Sequence, residues 1–560
     1  MDLVLKAAAF VSARQWRRWE KFTKKPLQIQ EKLLLDLVQR NRGTRFGRDH
    51  RFEAIQTVTD YRRQVDIGDY ERLRPYVERA KNGEAGVLTE DPVVMFTLTS
   101  GSTGEPKLIP VTETSRRNHR QLTRLWYYRA LVDHPGLFSG RLLGVVSPAE
   151  EGRTPGGIPF GSASGLVYQS SPSWIRNAHA APSEIADIKD FEVKYHLTMR
   201  LALERDITFL ATPNPSTILK LLEAVNQHKA EMIKDICDGT ITVRADLQSR
   251  LRATLAERVA KNPGRAKRLE SLIKSDGTLR PKEYWPRLQL IGCWKGGTVG
   301  IRLREFDRWF APNTPIRDLG YMASEGQVTL PVSDDGCAGI LAIDKNFYEF
   351  IPEAETGRGN PATLSCVELR EGENYHIVLT TPGGLYRYDI NDVVRVAGFY
   401  NQTPLIEFVR KGRDMTNITG EKLHVQQAIE AVERSQRALG VAIHRFRVCA
   451  EVDKSRYAFA LEFDSSAPAE ETLSRLLGEL DARLHELNIE YAQKRASRRL
   501  GAPVLYVMKP GWFDRTAQST PQANTRDAQF KPRLLISVPE NPNEILLVVE
   551  NVDQTANKLP

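Results

Sequence analysis

The sequence predicts an α/β fold in two parts: a large N-terminal domain with mixed β-sheets and helices, and a small, mobile α+β domain at the C-terminus. Short apolar runs alternate with helical stretches from about residue 91 to 400, the pattern of α/β domains. A charged, glycine-containing connector, Lys411-Gly412-Arg413-Asp414, then ends this pattern and is suited to a hinge. Beyond it a shorter unit begins. We therefore expect domains at 1–410 and 424–560, joined by a hinge at 411–423.

The N-terminal region predicts helices up to about residue 90. Residues 29–38 carry an apolar stripe at helical spacing, and a basic loop at 41–47 ends it. The first 13 residues superficially resemble a signal peptide. However, Lys6 interrupts the apolar stretch and no basic region precedes it. The basic residues between Arg14 and Lys25 predict an amphipathic helix instead, and we expect a cytoplasmic protein.

The strand and helix assignments that follow come from apolar runs and their periodicity. Strands are predicted in the large domain at 141–146, 207–212 and 288–292. In the small domain we predict a helix at 424–439, strands at 444–452 and 456–464, a helix at 469–487 and a strand at 503–508.

Composition excludes several classes of protein. Hydrophobic residues make up 41% of the 560 residues and charged residues 27%, as in ordinary globular proteins. No apolar run approaches the ~18 residues that cross a bilayer, so no membrane partner is predicted. The five cysteines are scattered without a C-x-x-C pair, which fits a reducing compartment. The ten histidines form no H-E-x-x-H or similar pair, so they are predicted to be structural.

The net charge of +9 predicts anionic partners. The basic residues are spread along the chain without a basic tail or an RNA-binding signature. ATP and small carboxylates satisfy this charge balance, and no nucleic-acid partner is predicted.

Residues 97–107 read Thr-Leu-Thr-Ser-Gly-Ser-Thr-Gly-Glu-Pro-Lys and follow an extended apolar run. Glycines let the backbone approach a ligand, and turn N–H groups and hydroxyls donate to phosphate oxygens. The segment is not the P-loop of kinases, because two residues separate its glycines and Lys107 precedes Leu108. A solvated turn is the alternative interpretation. The candidate phosphate-binding residues are Thr99, Ser100, Gly101, Ser102, Thr103 and Gly104, with Lys107 at the end.

Four later segments complete a pattern. They are Asp-Leu-Gly-Tyr-Met-Ala-Ser-Glu at 318–325, Leu-Tyr-Arg-Tyr-Asp-Ile-Asn-Asp at 385–392, Gly-Arg-Asp at 412–414 and Gln-Phe-Lys-Pro-Arg at 529–533. Each by itself is more typical of a surface turn or a charged linker. In this order, after Thr-Ser-Gly-Ser-Thr-Gly-x-Pro-Lys, they resemble the adenylate-forming superfamily, which activates carboxylic acids as acyl-AMP.

The resemblance implies ATP and Mg²⁺ as cofactors and assigns a role to each motif. It implies that Tyr321 and Ser324 line the nucleotide pocket, that Glu325 holds Mg²⁺, and that Asp392 accepts both ribose hydroxyls. Cationic catalytic groups are implied at Lys107, at Arg413, which also meets the nucleotide, and at Lys531, which reaches the α-phosphate and the carboxylate. The helix at 114–130 would border the acid pocket, although Trp126, Tyr127 and Tyr128 also fit ordinary core packing.

A closer family resemblance rests on further segments, namely Gly-Leu-Tyr-Arg-Tyr at 384–388, Tyr-Glu-Phe-Ile-Pro at 348–352 and Pro-Gly-Trp-Phe-Asp at 510–514. They resemble the auxin- and jasmonate-conjugating acyl-acid amido synthetases, the auxin-responsive-promoter family. The ribose motif of that family usually reads Tyr-Arg-x-Gly-Asp, from which Asp389 and Asn391 depart.

This resemblance implies an enzyme: an ATP-dependent ligase that adenylates a carboxylic acid and joins it to an amino acid through an amide. It also implies a monomer whose partners are these small molecules. One alternative is a thioester ligase that transfers the acyl group to coenzyme A or a carrier protein. Another is a binding or regulatory protein that keeps the fold without the chemistry.

Overall fold

The computed structural model describes residues 2–99, 107–145, 148, 150–162, 165, 168, 171, 173–243, 249–355, 361–412, 415–463, 467–513, 515 and 534–550. The chain divides into two compact units. Unit 1 consists of Met1–Leu98 and Leu108–Val409, and unit 2 consists of Thr99–Lys107 and Arg410–Pro560.

The helices are, in chain order, α1 (Asp2–Phe22), α2 (Pro26–Arg40), α3 (Arg45–Asp49), α4 (Val58–Gln64), α5 (Tyr70–Lys81), α6 (Glu113–Asp133), α7 (Ser173–Ala178), α8 (Phe191–Leu203), α9 (Pro215–Asp238), α10 (Ser249–Ala256), α11 (Pro263–Ser271), α12 (Pro281–Tyr284), α13 (Val425–Leu439), α14 (Glu470–Leu487) and α15 (Ile489–Ala496). The helical start of the chain, α1 to α5, was predicted and is confirmed. In α2, Pro26 occupies the first turn and Leu34, Leu37 and Val38 form the buried stripe.

The strands are β1 (Val93–Thr99), β2 (Lys107–Thr112), β3 (Arg141–Gly144), β4 (Gly152–Arg153), β5 (Pro159–Gly161), β6 (Ile207–Ala211), β7 (Leu290–Gly292), β8 (Ile316–Arg317), β9 (Met322–Ala323), β10 (Gly326–Gln327), β11 (Thr329–Leu330), β12 (Gly339–Leu341), β13 (Phe347–Pro352), β14 (Asn374–Thr380), β15 (Tyr388–Tyr400), β16 (Thr403–Lys411), β17 (Met415–Thr416), β18 (Leu423–His424), β19 (Ile443–Glu451), β20 (Arg456–Phe463), β21 (Val504–Met508), β22 (Leu535–Ile536) and β23 (Ile545–Glu550).

Unit 1 contains a parallel sheet in the order β3-β6-β7-β8. Its central strand β6 is an almost fully buried apolar run, as expected for a parallel strand covered by helices. The apolar runs that predicted strands near 141, 207 and 288 form β3, β6 and β7. Parallel strands align their carboxyl ends, so the segments after β7 and β8 leave the same edge of this sheet.

A second sheet of unit 1 runs β2-β1-β5-β4, in which β1 lies parallel to β5 with Thr97 opposite Gly161. A third sheet is antiparallel in the order β11-β12-β16-β15-β14-β13. Within it β15 bulges against β14, because Asp389 pairs with Val378 and Val393 pairs with His376. Three residues of β15 thus face one residue of β14, and the last of the three is Asp392. Bulges redirect side chains in this way.

Unit 2 has its own sheet, β22-β19-β20-β21-β23, with α13 and α14 packed on it. The predicted elements of the small domain all occur, as α13, β19, β20, α14 and β21. The α/β fold with a smaller α+β part is therefore confirmed. In the portion of the chain that the structure describes, no helix is both long and apolar enough to cross a membrane.

Candidate functional site

A two-residue hairpin presents Ser324 and Glu325. Strands β9 and β10 pair antiparallel with Gly326 opposite Ala323, which leaves Ser324 and Glu325 as the turn residues. The Thr97 hydroxyl in β1 donates to the Ser324 carbonyl over 3.2 Å. Because Thr97 and Ser324 lie far apart in sequence, this bond fixes the hairpin to the strand that ends at Thr99. No motif in the sequence indicated this role for Thr97.

Tyr321 and Asp392 meet directly, although 71 residues separate them. The Tyr321 hydroxyl donates to Asp392 Oδ2 over 2.5 Å, so the two side chains form a direct hydrogen bond. Tyr321 is 9% exposed and Asp392 is 2% exposed. Burial raises the pKa of Tyr321 well above its usual value, and the carboxylates of Asp392 and Glu325 add to the shift. Tyr321 therefore stays protonated and remains a donor.

An aromatic wall stands beside this pair. The Phe408 ring lies 5.6 Å from the Tyr321 ring, centroid to centroid, with the planes tilted by 39°. Gly296 and Gly297 pack behind Phe408. A Cβ on Gly297 would lie 3.1 Å from the Phe408 ring, and its backbone, at φ +62° and ψ −157°, is a conformation that essentially only glycine adopts. The glycine turn after β7 thus sets the position of the wall.

Asp318 fixes the backbone of the turn that leads to Tyr321. Its two carboxylate oxygens accept from the Gly320 and Lys295 N–H groups, each over 2.6 Å. Trp126 of α6 donates to the Asp318 carbonyl over 2.9 Å. Burial outweighs these bonds and raises the pKa of Asp318 to about 6. Asp318 lay within the predicted motif but had no predicted role. The available signal was an aspartate just before Leu-Gly, directly after the short strand β8.

The strand that carries Asp392 is fixed at its start by Arg387. The Arg387 guanidinium makes two parallel bonds to Glu349, with Nε to Oε2 at 3.0 Å and Nη2 to Oε1 at 3.1 Å. Its Nη1 also donates to the carbonyls of Arg62 and Val65. Because this ion pair is buried and its polar groups are already hydrogen-bonded, we assign it the role of positioning β15 rather than of binding a ligand.

The remaining predicted residues are placed as follows. Thr99 is the last residue of β1 and Lys107 the first of β2. Ser100, Gly101, Ser102, Thr103 and Gly104, together with Arg413 and Lys531, lie outside the described residues. The structure therefore brings together Tyr321, Ser324, Glu325 and Asp392, and the roles of the other predicted residues stay predictions.

A separate cavity of about 590 Å³ lies along α6. Tyr127, Phe138 and Trp174 supply its aromatic lining, and Thr123 and His119 face it from the same helix as Tyr127. Trp126, in contrast, is 4% exposed and packs against Phe209 in the core. Of the three aromatics that the sequence left open, Tyr127 and Tyr128 line a cavity and Trp126 is core.

Three domain models of one protein family match the chain in order. The GH3 family N-terminal domain matches residues 15–316, the GH3 family central domain residues 339–411, and the GH3 family C-terminal domain residues 424–540. The chain belongs to the GH3 family. In this GH3 protein, Asp392 lies within the match to the central domain. Tyr321, which contacts it, lies in the short segment between the first two matches.

Relatives of this GH3 chain match over almost its whole length. The jasmonoyl–L-amino acid synthetase JAR4 of Nicotiana attenuata is 25% identical over 556 residues, covering 95% of each chain. The indole-3-acetic acid-amido synthetase GH3.4 of Arabidopsis thaliana is 23% identical, covering 93% of this chain and 91% of the relative. The resemblance to acyl-acid amido synthetases read from the motifs is confirmed.

Solved structures show the same fold. The AtGH3.15 acyl acid amido synthetase in complex with 2,4-DB matches with a TM-score of 0.65 at 21% identity, covering 96% of this chain and 97% of that one. The 2-hydroxyisobutyryl-CoA ligase in complex with 2-HIB-AMP and CoA matches with a TM-score of 0.50 at 14% identity, covering 92% and 91%. Both comparisons support the α/β fold assignment.

Proposed function

We propose that this GH3 protein is an ATP-dependent ligase that adenylates a carboxylic acid, releases pyrophosphate, and transfers the acyl group to the amine of an amino acid. The observation that carries the proposal is the contact between Tyr321 and Asp392, with Glu325 four positions beyond Tyr321 on the hairpin. Two motifs that are separate in sequence thereby form one buried polar cluster in a chain that belongs to the GH3 family.

Asp392 and Tyr321 are proposed to bind the nucleoside. A buried carboxylate with two oxygens suits two adjacent ribose hydroxyls, because each hydroxyl donates to one oxygen. The Tyr321 hydroxyl already occupies Oδ2 in this structure, so ribose must share or displace that bond. The Tyr321 and Phe408 rings offer an apolar surface for a purine.

The acid and ATP carry the same sign of charge, so their approach requires cations. Lys107, Arg413 and Lys531 are proposed to supply them, while N–H groups of residues 100–104 orient the phosphates. Glu325 would hold Mg²⁺, which in proteins takes one or two carboxylates and completes its shell with phosphate oxygens. Burial raises the pKa values of Tyr321 and Tyr388, and the Glu325 carboxylate, which lies near both rings, adds to each shift. A carboxylate at this position fits a cation beside the cluster. The bound ion would neutralise phosphate charge.

The acid is proposed to place its apolar part in the cavity along α6. About 590 Å³ is large enough for a small aromatic or aliphatic acid. The lining of Tyr127, Phe138 and Trp174 favours a flat, apolar body. Substitutions that fill this cavity should then act on the acid and leave ATP unaffected.

The amide is the proposed product, with a thioester to coenzyme A or a carrier protein as the second candidate. The solved CoA ligase shares the fold, which supports keeping that candidate. The three family domain models support the first. We also propose that 1–410, 411–423 and 424–560 act as adenylation domain, hinge and small domain in a cytoplasmic monomer that binds no nucleic acid. The five cysteines are free thiols, which supports a reducing compartment.

The test is acid-dependent exchange between pyrophosphate and ATP, with a panel of aromatic, fatty and keto acids and no amine. Exchange with one class of acid would support adenylation and identify the class of acid that the protein uses. Amino acids, coenzyme A and a carrier-protein mimic would then be compared as acceptors by AMP release and product mass. No exchange with any acid, in a protein that binds ATP in a titration, would contradict the proposal.

A further inference from the structure

Helices α8 and α9 bring together two histidines and a glutamate well away from the cluster around Tyr321. The ligand atoms of His196, His228 and Glu231 all lie within 4.8 Å of one another. The two imidazole rings are 5.1 Å apart, centroid to centroid, and are tilted by 59°. His196 comes from α8, whereas the other two come from α9.

His196 carries a polar atom that the protein leaves unsatisfied. The residue is 3% exposed, and its Nε2 is buried with no hydrogen-bond partner among the residues that the structure describes. A buried imidazole nitrogen without a partner costs free energy, so it calls for an explanation such as a bound water or ion. Here a bound ion at the cluster would satisfy it.

The second histidine stands at a break in its helix. His228 has φ −113° and ψ 19°, outside the helical region, and α9 is kinked there. His228 Nδ1 lies 3.4 Å from Glu231 Oε2. The side chains of His228 and Glu231 are 41% and 63% exposed, so one side of the cluster opens to solvent. An ion can enter from that side, and a water can complete its coordination.

We propose that His196, His228 and Glu231 bind a divalent transition-metal ion of the zinc class. Two imidazoles and one carboxylate form a known zinc donor set, and imidazole selects such ions over Mg²⁺ and Ca²⁺. Ligand atoms bound at about 2.1 Å in a tetrahedron lie roughly 3.4 Å apart, so separations of up to 4.8 Å in the cluster must close by up to about 1.4 Å. The exposed side chains of His228 and Glu231 have the freedom to do so. The bound ion cross-links α8 to α9 and stabilises the folded protein, independently of the proposed ligase activity.

Binding is tested on the full chain, without an affinity tag, after dialysis against a chelator. We expect one equivalent of Co²⁺ to give visible d–d absorption, to be displaced by Zn²⁺, and to persist in millimolar Mg²⁺. His228→Ala and Glu231→Gln should weaken Co²⁺ binding at least about 10-fold. His485→Ala is the matched control, because His485 is 40% exposed and lies 3.7 Å from Asp481. Among the residues that the structure describes, no third ligand group joins this pair. Equal Co²⁺ affinity in wild type and His228→Ala would overturn the site.

The stabilising effect of the cross-link between α8 and α9 is tested by thermal unfolding. An ion that binds the folded state raises the unfolding midpoint by mass action. Zn²⁺ should raise the midpoint of the wild type and of His485→Ala but not that of His228→Ala. If Co²⁺ binds and Zn²⁺ still leaves the wild-type midpoint unchanged, the proposed link between the two helices is wrong.

Discussion

Replacing Asp392 by asparagine tests the nucleotide site most directly. The side chains have the same size, and the asparagine oxygen can still accept from the Tyr321 hydroxyl, so the buried cluster keeps its packing. What is lost is the negative charge and one of two strong acceptors. Asp392 is 2% exposed, so solvent does not screen the loss.

The expected rise in KM for ATP follows from the difference between hydrogen bonds to charged groups and hydrogen bonds to neutral groups. A bond to a charged group contributes about 1.5–3 kcal/mol and a neutral one about 0.5–1.5 kcal/mol. For two ribose hydroxyls the difference is about 2–3 kcal/mol. At 1.36 kcal/mol for each factor of ten, KM for ATP should rise about 30- to 150-fold in the exchange assay.

The control for this variant is Asp389→Asn. Asp389 lies in the same bulge of β15, and its carboxylate accepts only a local bond from the Asn391 N–H over 2.7 Å among the contacts described. The KM of this variant for ATP should stay within about threefold of the wild-type value, because the substitution weakens only one local hydrogen bond and removes no proposed contact to the nucleotide. If folded Asp392→Asn has a KM for ATP close to the wild-type value, Asp392 does not bind ribose.

Three further predictions concern the glycine turn, the buried aspartate and the cavity. Gly297→Ala should destabilise the protein by about 1–3 kcal/mol in chemical denaturation, because only glycine tolerates that backbone. Gly336→Ala, also at φ +62° but with open space around it, should cost less. Folded Asp318 holds its proton up to about pH 6, whereas the unfolded residue releases it near pH 4. The unfolding free energy of wild type relative to Asp318→Asn should therefore fall by about 2–3 kcal/mol from pH 4 to 7, and a flat difference would refute the assigned pKa. Thr123→Phe fills part of the cavity along α6, so it should raise KM for the acid about tenfold and leave KM for ATP unchanged. Arg117→Phe, at an exposed position on the same helix, should change neither KM.

Elements with strong local periodicity were predictable. The apolar stripe of α2, the buried run of β6 and the sequence of elements from α13 to β21 all occur where the pattern placed them. Each depends on side chains a few residues apart, whose spacing alone decides whether a helix or a strand buries them. The motifs around Tyr321 and Asp392 were likewise visible as segments of the chain.

The sequence by itself therefore determined the α/β class, and it predicted a division of the chain and a set of candidate nucleotide-binding residues. Only the tertiary structure decided which of them meet. The bond from Tyr321 to Asp392, the bond from Thr97 to Ser324 and the grouping of His196 with His228 depend on strand register, on a bulge in β15 and on a kink in α9. These features arise from packing between distant segments, where a one-residue shift turns a side chain to the opposite face. Local periodicity carries no information about that choice.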